Sequence, residues 1–270
     1  MLAKLFISLV RISPSFQKAV WKWWYQRLGK RGHDIGWTFM NYGFTPEDKE
    51  LSPNLKPEDE SNRMFIQLYD YAASQIPLDG LKVLEVGSGR GGGASFIARY
   101  YNPNSMTGLD YSLSAVKLSK SLHGEVTNLD FVEGDAENLP FEDSTFDAVI
   151  NVESSHCYGN MKSFITEVHR VLKVGGHFSW VDLRGKDMVN DTESIFTDSK
   201  LRSIHEKAIT KQVVNALDEI HDQKTELISI HVPKLIQGAF KDFAGVKDSQ
   251  IYNAFKNGNS VYLSKAFQKI

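Results

Sequence analysis

The chain has 270 residues, of which 41% are hydrophobic and 24% charged, and this length can bury a full core. It predicts one domain of roughly 200–250 residues plus an appendage. The formal net charge of −2 gives no whole-protein reason to expect nucleic-acid binding. The single cysteine, Cys157, excludes an internal disulfide and suits a cytoplasmic location, and because no zinc-type Cys/His spacing occurs we expect no metal.

The first 33 residues differ from the rest of the chain in charge. Residues 1–33 carry seven basic residues and no acidic one, which leaves a formal charge of −9 for the remainder. The apolar residues that share one helical face are Leu2, Leu5, Phe6, Leu9 and Val10. This run is shorter than the ~20 residues that a membrane span needs. Three interpretations stay open: a lid packed on the domain, peripheral membrane contact through residues 1–30, and a cleaved targeting segment.

We expect residues 34–270 to form the main domain, entered through a loop-rich connector. Prolines and acidic residues interrupt any periodicity over 34–60, and Tyr42 and Phe44 are expected to fill a pocket or the core. From Ser61 onward apolar residues recur at intervals of three and four. This spacing predicts a helix that ends before Pro77.

A glycine-dense turn follows the first predicted strand. The apolar run Val83–Val86 leads into Gly87-Ser88-Gly89-Arg90-Gly91-Gly92-Gly93, and a helical segment follows directly. Glycines permit positive φ and let a ligand approach the main chain closely. The free N–H groups at the start of the helix also point toward the position of such a ligand. The strand, loop and helix together therefore predict a binding site for a nucleotide-type ligand.

Three acidic residues stand at or near the ends of successive predicted strands. Asp110 lies 21 positions after Gly89, and Asp135 follows the next apolar run, while Glu85 belongs to the first. The carboxyl ends of parallel strands form the ligand-binding edge of an open sheet, where an acid commonly binds ribose hydroxyls. So much negative charge disfavours a pyrophosphate and favours a cationic adenosine ligand, and S-adenosylmethionine is such a ligand.

Strands and helices then alternate regularly. Strands are predicted over 105–109, 129–133, 146–151 and 177–182, and helices over about 112–122 and 161–172. We therefore predict an α/β fold with a doubly wound, mostly parallel sheet of seven strands.

The C-terminal third departs from this alternation. Residues 186–245 are polar and helical in character, which predicts a helical insertion that shapes a substrate pocket or, equally, a solvated flank. Two further strands are predicted over about 247–255 and 260–267, joined by a turn that contains Asn257-Gly258. Asn-Gly between two β-rich segments predicts that the sheet ends in an antiparallel hairpin.

Several motifs resemble those of the class I S-adenosylmethionine-dependent methyltransferases, over about residues 80–182. They are Val83 to Arg90, Gly108 to Asp110, Gly134 to Phe141, Ser144 to Asp147 and Arg170 to Gly176. A closer resemblance, over most of the chain from about Trp21, is to the phthiotriolone/phenolphthiotriolone dimycocerosates methyltransferase family. It is carried by Asn151 to Tyr158, the triple glycine at 91–93, Val181 to Arg184 and the Trp-rich segment near Trp21.

This resemblance implies a role for each matching cofactor residue. Glu85 and Gly87, Ser88 and Gly89 would hold the methionine end of S-adenosylmethionine, and Asp110 the ribose hydroxyls, with Tyr111 beside it. Asp135 with Ala136 would contact the adenine, and Asn151 would lie beneath the methyl-bearing sulfur. The alternative is structural: Glu85 caps the glycine turn, and Asp110 and Asp135 cap helices.

The resemblance also implies a catalytic pair, His156 in the loop after the fourth strand and Asp182 at the end of the fifth. A histidine can remove the proton of an alcohol, and a carboxylate on its far ring nitrogen would fix its tautomer. In the alternative, His156 is an ordinary loop histidine and water or another group is the base. Glu153 and Tyr158 are candidates for orienting the substrate.

The resemblance implies an O-methyltransferase that acts on a hydroxyl of a lipid-like or polyketide small molecule. Two other functions stay open: C-methylation of a sterol-like or quinone-like ring, and a protein that binds S-adenosylmethionine without catalysis. The expected partner is a hydrophobic small molecule rather than nucleic acid, and the location cytoplasmic, with peripheral attachment to a membrane as one alternative. The sequence does not determine the oligomeric state.

Overall fold

A computed structural model describes residues 38–48, 52–232, 234 and 237–270. The predicted N-terminal extension over residues 1–33 lies outside these residues, so its roles as lid, membrane contact or targeting segment stay predictions. Among the helices of the described part, none is both long and apolar enough to cross a membrane.

The described residues contain a seven-stranded mixed sheet in the order β3-β2-β1-β4-β5-β7-β6. Strands β1 to β5 run parallel, and β7 pairs antiparallel with both β5 and β6. The bounds are β1 Lys82–Val86, β2 Ser105–Asp110, β3 Leu129–Glu133, β4 Phe146–Val152, β5 Leu172–Gly185, β6 Leu201–Ala208 and β7 Ser260–Lys269. The prediction of a mostly parallel sheet of seven strands with an antiparallel end is confirmed.

Helices cover both faces of this sheet. They are α1 Arg63–Ala73, α2 Gly92–Tyr100, α3 Leu113–Leu122, α4 Met161–Val171, α5 Val189–Thr197, α6 Thr210–Glu219, α7 His221–His231, α8 Gln237–Phe243 and α9 Gln250–Lys256. Helices α1, α2, α6 and α9 pack into one hydrophobic core, and α4 and α5 into the other. Alternate strand residues enter opposite cores, as Val83 and Leu84 of β1 do, because side chains alternate along a strand.

The strand predicted over 247–255 is wrong, because these residues contain helix α9. The side-chain oxygen of Ser249 accepts a hydrogen bond from the Tyr252 N–H, which caps the helix. Tyr252 and Phe255, three residues apart, are both buried on one helical face. The Asn257-Gly258 turn therefore connects a helix to β7.

The antiparallel neighbour of β7 at the sheet edge is β6, inside the segment 186–245 that was predicted to be helical. Most β6 side chains are exposed, so the strand has no hydrophobic alternation to reveal it. It is held by backbone pairing with β7, from Leu201 opposite Lys269 to Ala208 opposite Leu263. The rest of the segment is mainly helical, with α5 to α8.

Candidate active site

The glycine loop joins β1 to α2 in a left-handed conformation. Gly87, Gly89 and Gly91 have φ values of +79°, +55° and +80°, where residues with a Cβ are strained. A Cβ at Gly87 would lie 2.4 Å from the Ser154 hydroxyl oxygen and 2.7 Å from that of Tyr158. The backbone of Gly87 therefore packs directly against the loop that follows β4.

A cleft opens beside this loop at the carboxyl ends of β1, β2 and β4. Its walls include most of the predicted cofactor residues, namely Gly87, Ser88, Gly89, Asp110, Tyr111, Asp135 and Ala136. Residues 38–41, which the sequence did not assign to the site, form another wall. Glu85, Asn151, His156 and Asp182 do not line the cleft. Glu85 and Asn151 are hydrogen-bonded to residues that do, His156 precedes the lining residue Cys157, and Asp182 is connected to the cleft only through His156.

Asp110 holds the glycine loop in place. Its two carboxylate oxygens accept hydrogen bonds from the N–H groups of Gly89 and Ser112, at 2.9 and 2.8 Å. Burial raises the pKa of Asp110 to about 6, although both N–H groups oppose this rise. Each carboxylate oxygen has two lone pairs, so Asp110 can still accept hydrogen bonds from a ligand in the cleft.

Asn151 lies behind the cleft wall and is fully buried. Its side-chain nitrogen, which has two N–H donors, lies within hydrogen-bond distance of three acceptors: the Val86 carbonyl at 2.8 Å, the Ser154 hydroxyl at 2.7 Å and the Tyr158 hydroxyl at 3.1 Å. Ser154 and Tyr158 both line the cleft. Asn151 thus supports two residues of the cleft wall, Ser154 and Tyr158, from behind.

His156 and Asp182 are brought together by the adjacent strands β4 and β5. The His156 Nδ1 lies 2.7 Å from Asp182 Oδ1, and the His156 backbone N–H donates to Asp182 Oδ2 at 2.9 Å. Asp182 is fully buried, whereas 26% of the His156 side chain is exposed. The Nδ1 contact directs the other ring nitrogen, Nε2, away from the carboxylate. Cys157, the next residue, lines the cleft.

Comparison with known proteins identifies the family. A methyltransferase domain model matches residues 84–180. The phthiotriol/phenolphthiotriol dimycocerosates methyltransferase of Mycobacterium tuberculosis is 37% identical over 257 residues, which is 95% of this chain and 94% of that protein. The chain belongs to the S-adenosylmethionine-dependent methyltransferases. A further relative in sequence, the fatty-acid O-methyltransferase of Mycolicibacterium smegmatis, is 35% identical over 96% of this chain and 92% of its own length.

Solved structures agree with the methyltransferase fold at low sequence identity. The geranyl diphosphate C-methyltransferase of Streptomyces coelicolor, in complex with S-adenosyl-L-homocysteine, superposes with a TM-score of 0.64 at 16% identity. This match covers 91% of the present chain and 98% of that one. The [4+2]-cyclase SpnF superposes with a TM-score of 0.69 at 18% identity, over 91% and 93% of the two chains. Because a cyclase shares it, the fold alone does not fix the reaction.

The residues of the methyltransferase cleft fit S-adenosylmethionine, its methyl donor. Around the glycine loop, three buried polar atoms have no hydrogen-bond partner among the described residues: Glu85 Oε2, Ser88 Oγ and Asn151 Oδ1. Buried polar atoms without partners are rare in folded proteins. Ser88 lines the cleft, so a ligand with an ammonium, a carboxylate and ribose hydroxyls can supply a partner for its Oγ, and the acidic residues match the positive charge of such a ligand. Glu85 and Asn151 lie behind that wall.

Glu85 is connected to the cleft by a hydrogen bond from Tyr69, a residue that the sequence analysis did not assign to the site. Its Oε1 accepts a hydrogen bond of 2.8 Å from the Tyr69 hydroxyl, and Tyr69 lines the cleft. Burial outweighs this hydrogen bond and raises the pKa of Glu85 to about 8. Helix α1, which carries Tyr69, was predicted, but no local signal indicated that its tyrosine meets a residue of β1.

Replacing Gly93 with alanine is expected to lower the free energy of unfolding by about 1–3 kcal/mol. A Cβ at this position would lie 1.9 Å from the Tyr69 ring, so the ring must move away from Glu85. Chemical denaturation measures the change. Gly238→Ala is the matched control, because nothing lies within 4 Å of a Cβ there. Equal stability of Gly93→Ala and the wild type would contradict the packing described.

A buried polar network supports the His156–Asp182 pair from behind. The Ser155 hydroxyl donates to Asp182 at 2.6 Å and accepts from Trp180 Nε1 and Arg184 Nη2 at 2.9 and 2.7 Å. A second Arg184 nitrogen lies 3.1 Å from the Asp182 carboxylate. The sequence stretch Val181 to Arg184 was noted as a motif, but the roles of Ser155 and Arg184 depend on contacts that only the fold creates.

This network favours the ionised form of Asp182 and the protonated form of His156. Burial alone would raise the pKa of Asp182, but the charges of His156 and Arg184 outweigh it and hold that pKa below its ordinary value. Burial alone would lower the pKa of His156, but Cys157 and Asp182 outweigh it, and the imidazole pKa lies well above its ordinary value. The pair therefore favours the imidazolium form of His156, which must lose its proton before it can act as a base.

Glu153 connects the loop after β4 to the wall formed by residues 38–41. Its Oε2 accepts hydrogen bonds from the Tyr42 N–H, at 2.8 Å, and from the Tyr262 hydroxyl. Glu153 also lines the cleft and has a φ of +48°, which is uncommon outside glycine. Phe44 is buried in the core, as the sequence predicted, so the chain that follows this wall is held at both Tyr42 and Phe44.

Proposed function

We propose that this methyltransferase O-methylates a hydroxyl of a lipid-like or polyketide small molecule. The observation that carries the proposal is the His156–Asp182 pair, which supplies a base for an alcohol beside the cofactor cleft. Two relatives support the substrate class, since one is named for dimycocerosates and another for fatty-acid O-methylation. Apolar and aromatic side chains of the cleft, such as Phe39, Met40 and Val152, suit a hydrophobic acceptor.

S-Adenosylmethionine supplies an electrophilic methyl group on a sulfonium. The groups of the chain have two tasks: to place the acceptor oxygen in line and to remove its proton. Asp182 holds His156 through Nδ1, so Nε2 is the ring nitrogen that would take the proton from the hydroxyl. The buried Asp182 carboxylate then stabilises the imidazolium. Glu85, Ser88, Asp110, Tyr111, Asp135 and Ala136 would bind the donor, with Asn151 supporting the wall next to it.

The test is a product assay with the full-length protein. The protein is incubated with methyl-labelled S-adenosylmethionine and a lipid extract, and labelled products are identified by mass spectrometry. Formation of a methyl ether together with S-adenosylhomocysteine is the expected result, whereas a methyl ester would indicate a carboxylate acceptor instead of a hydroxyl. A label bonded to carbon would overturn O-methylation in favour of a C-methyltransferase, and absence of any S-adenosylhomocysteine would indicate a protein that only binds the donor.

The value of kcat/KM is expected to rise with pH through an apparent pKa well above 6.5. Protonated His156 cannot act as a base, and Asp182 raises its pKa, so each pH unit below that pKa should lower kcat/KM about tenfold. Asp182→Asn removes the negative charge and should move the rising limb to lower pH. A limb that does not move in this variant would contradict the assignment of the base.

A further inference from the structure

A small side pocket adjoins the cofactor cleft. It shares Phe39, Met40, Asn41 and Arg90 with that cleft. Its other walls come from α1, α7 and the end of α8, so the segment 186–245 contributes to it. The residues that define the side pocket are Phe39, Met40, Asn41, Tyr42, Phe65, Arg90, Lys224, Phe243 and Ala244.

Lys224 of α7 is one of two basic residues that line this side pocket, the other being Arg90, and Lys224 is only 6% exposed. Its ammonium group donates to the Ala244 carbonyl at 2.8 Å. The same nitrogen lies 5.7 Å from the centre of the Tyr42 ring and 5.4 Å from that of Phe65. The Ala244 carbonyl uses one of the three N–H donors of the lysine, and the other two remain for a ligand.

This cation has no acidic counterpart at close range. Within the ranges that the structure describes, no carboxylate oxygen lies within 4.0 Å of the Lys224 nitrogen. Lysine is almost never fully buried without a paired charge, because removing an ammonium from water is unfavourable. Burial lowers the pKa of Lys224 to about 7, although Glu153 opposes this change. An anion in the side pocket would restore the positive charge.

We propose that the side pocket binds the carboxylate of an amphiphilic acid, such as a fatty acid or an acidic group on a longer lipid. Two carboxylate oxygens match the two remaining N–H donors of Lys224. The aromatic rings of Phe39, Phe65 and Phe243 provide an apolar surface for the adjoining alkyl chain. This binding site is separate from the His156–Asp182 pair and does not depend on methyl transfer.

The full-length protein is first saturated with S-adenosylhomocysteine. It is then titrated in a calorimeter with decanoate and, in a separate experiment, with decanol. Both probes have the same chain length, and only decanoate carries a charge. Wild-type protein is expected to bind decanoate at least about tenfold more tightly than decanol, because hydrogen bonds to charged groups are the stronger ones. Lys224→Met should abolish this preference, and Lys224→Arg should keep it.

Two controls separate this site from others. His156→Ala should keep the preference for decanoate, and Lys224→Met should keep the wild-type affinity for S-adenosylhomocysteine. If Lys224→Met does not fold, Lys224→Gln replaces it as the uncharged variant. Equal affinity of the wild type for both probes would overturn the proposal. A preference for decanoate that persists in the uncharged Lys224 variant, or one that is lost in His156→Ala, would also overturn the proposal. These measurements record binding and require no methyl transfer. Their outcome is therefore independent of the outcome of the O-methylation assay.

Discussion

Replacing His156 with alanine is expected to lower kcat by about 10²–10⁴-fold, the usual contribution of a general base. The affinity for S-adenosylhomocysteine should not change, because His156 does not line the cofactor cleft. The measurement combines steady-state kinetics on the product identified above with calorimetry. The expected effect is large because the substitution removes the imidazole that would take the proton, and it leaves the fully buried Asp182 carboxylate without the donor at Nδ1.

The matched control for this variant is His231→Ala. His231 is an exposed histidine at the end of α7, so its removal should leave kcat unchanged. If His156→Ala retains the wild-type kcat, water or another group removes the proton, and the imidazole serves only to hold the loop after β4.

Asp110→Ala is expected to weaken S-adenosylhomocysteine binding by about 10- to 100-fold. The change removes a carboxylate that would bind the ribose, and it also leaves the N–H groups of Gly89 and Ser112 without their acceptor. Hydrogen bonds to a charged group contribute about 1.5–3 kcal/mol each, and an unsatisfied buried N–H has a similar cost. Calorimetric titration gives the dissociation constant.

Asp130→Ala provides the control on the neighbouring strand β3. The Asp130 side chain is 68% exposed and forms an ion pair with Lys120 on the surface, which contributes little. The affinity of Asp130→Ala for S-adenosylhomocysteine should equal that of the wild type. Thermal unfolding of both variants shows whether Asp110→Ala still folds. A folded Asp110→Ala protein with unchanged affinity would contradict the proposed role of the carboxylate.

Local sequence patterns were sufficient to predict the parallel strands of the sheet. The apolar run before Gly87 and the regular alternation after it predicted β1 to β4 close to their observed bounds, whereas β5 is longer than the 177–182 predicted for it. Parallel strands place their carboxyl ends on one edge, so the meeting of Asp110 with the glycine loop also followed from the sequence. The hydrogen bond between His156 and Asp182 agrees with the pair that the family resemblance implied.

The C-terminal part shows where local patterns fail. Residues 250–256 contain aromatic residues that suit a strand, yet Ser249 caps them as a helix and Tyr252 and Phe255 bury one helical face. Strand β6 is polar, and pairing with β7 alone makes it a strand. Strand propensity depends strongly on the neighbours that a segment meets, and those neighbours lie about 60 residues away.

The sequence by itself determined the nucleotide-type loop and the acidic edge of the sheet, because both depend on short-range spacing along the chain, and its motifs carried the resemblance to the family. Only the tertiary structure decided which distant residues complete the site. Tyr69 meets Glu85, Tyr42 and Tyr262 meet Glu153, and Lys224 is buried against Ala244. These contacts join separate elements, and burial by those elements, rather than any local pattern, sets the protonation of the groups involved.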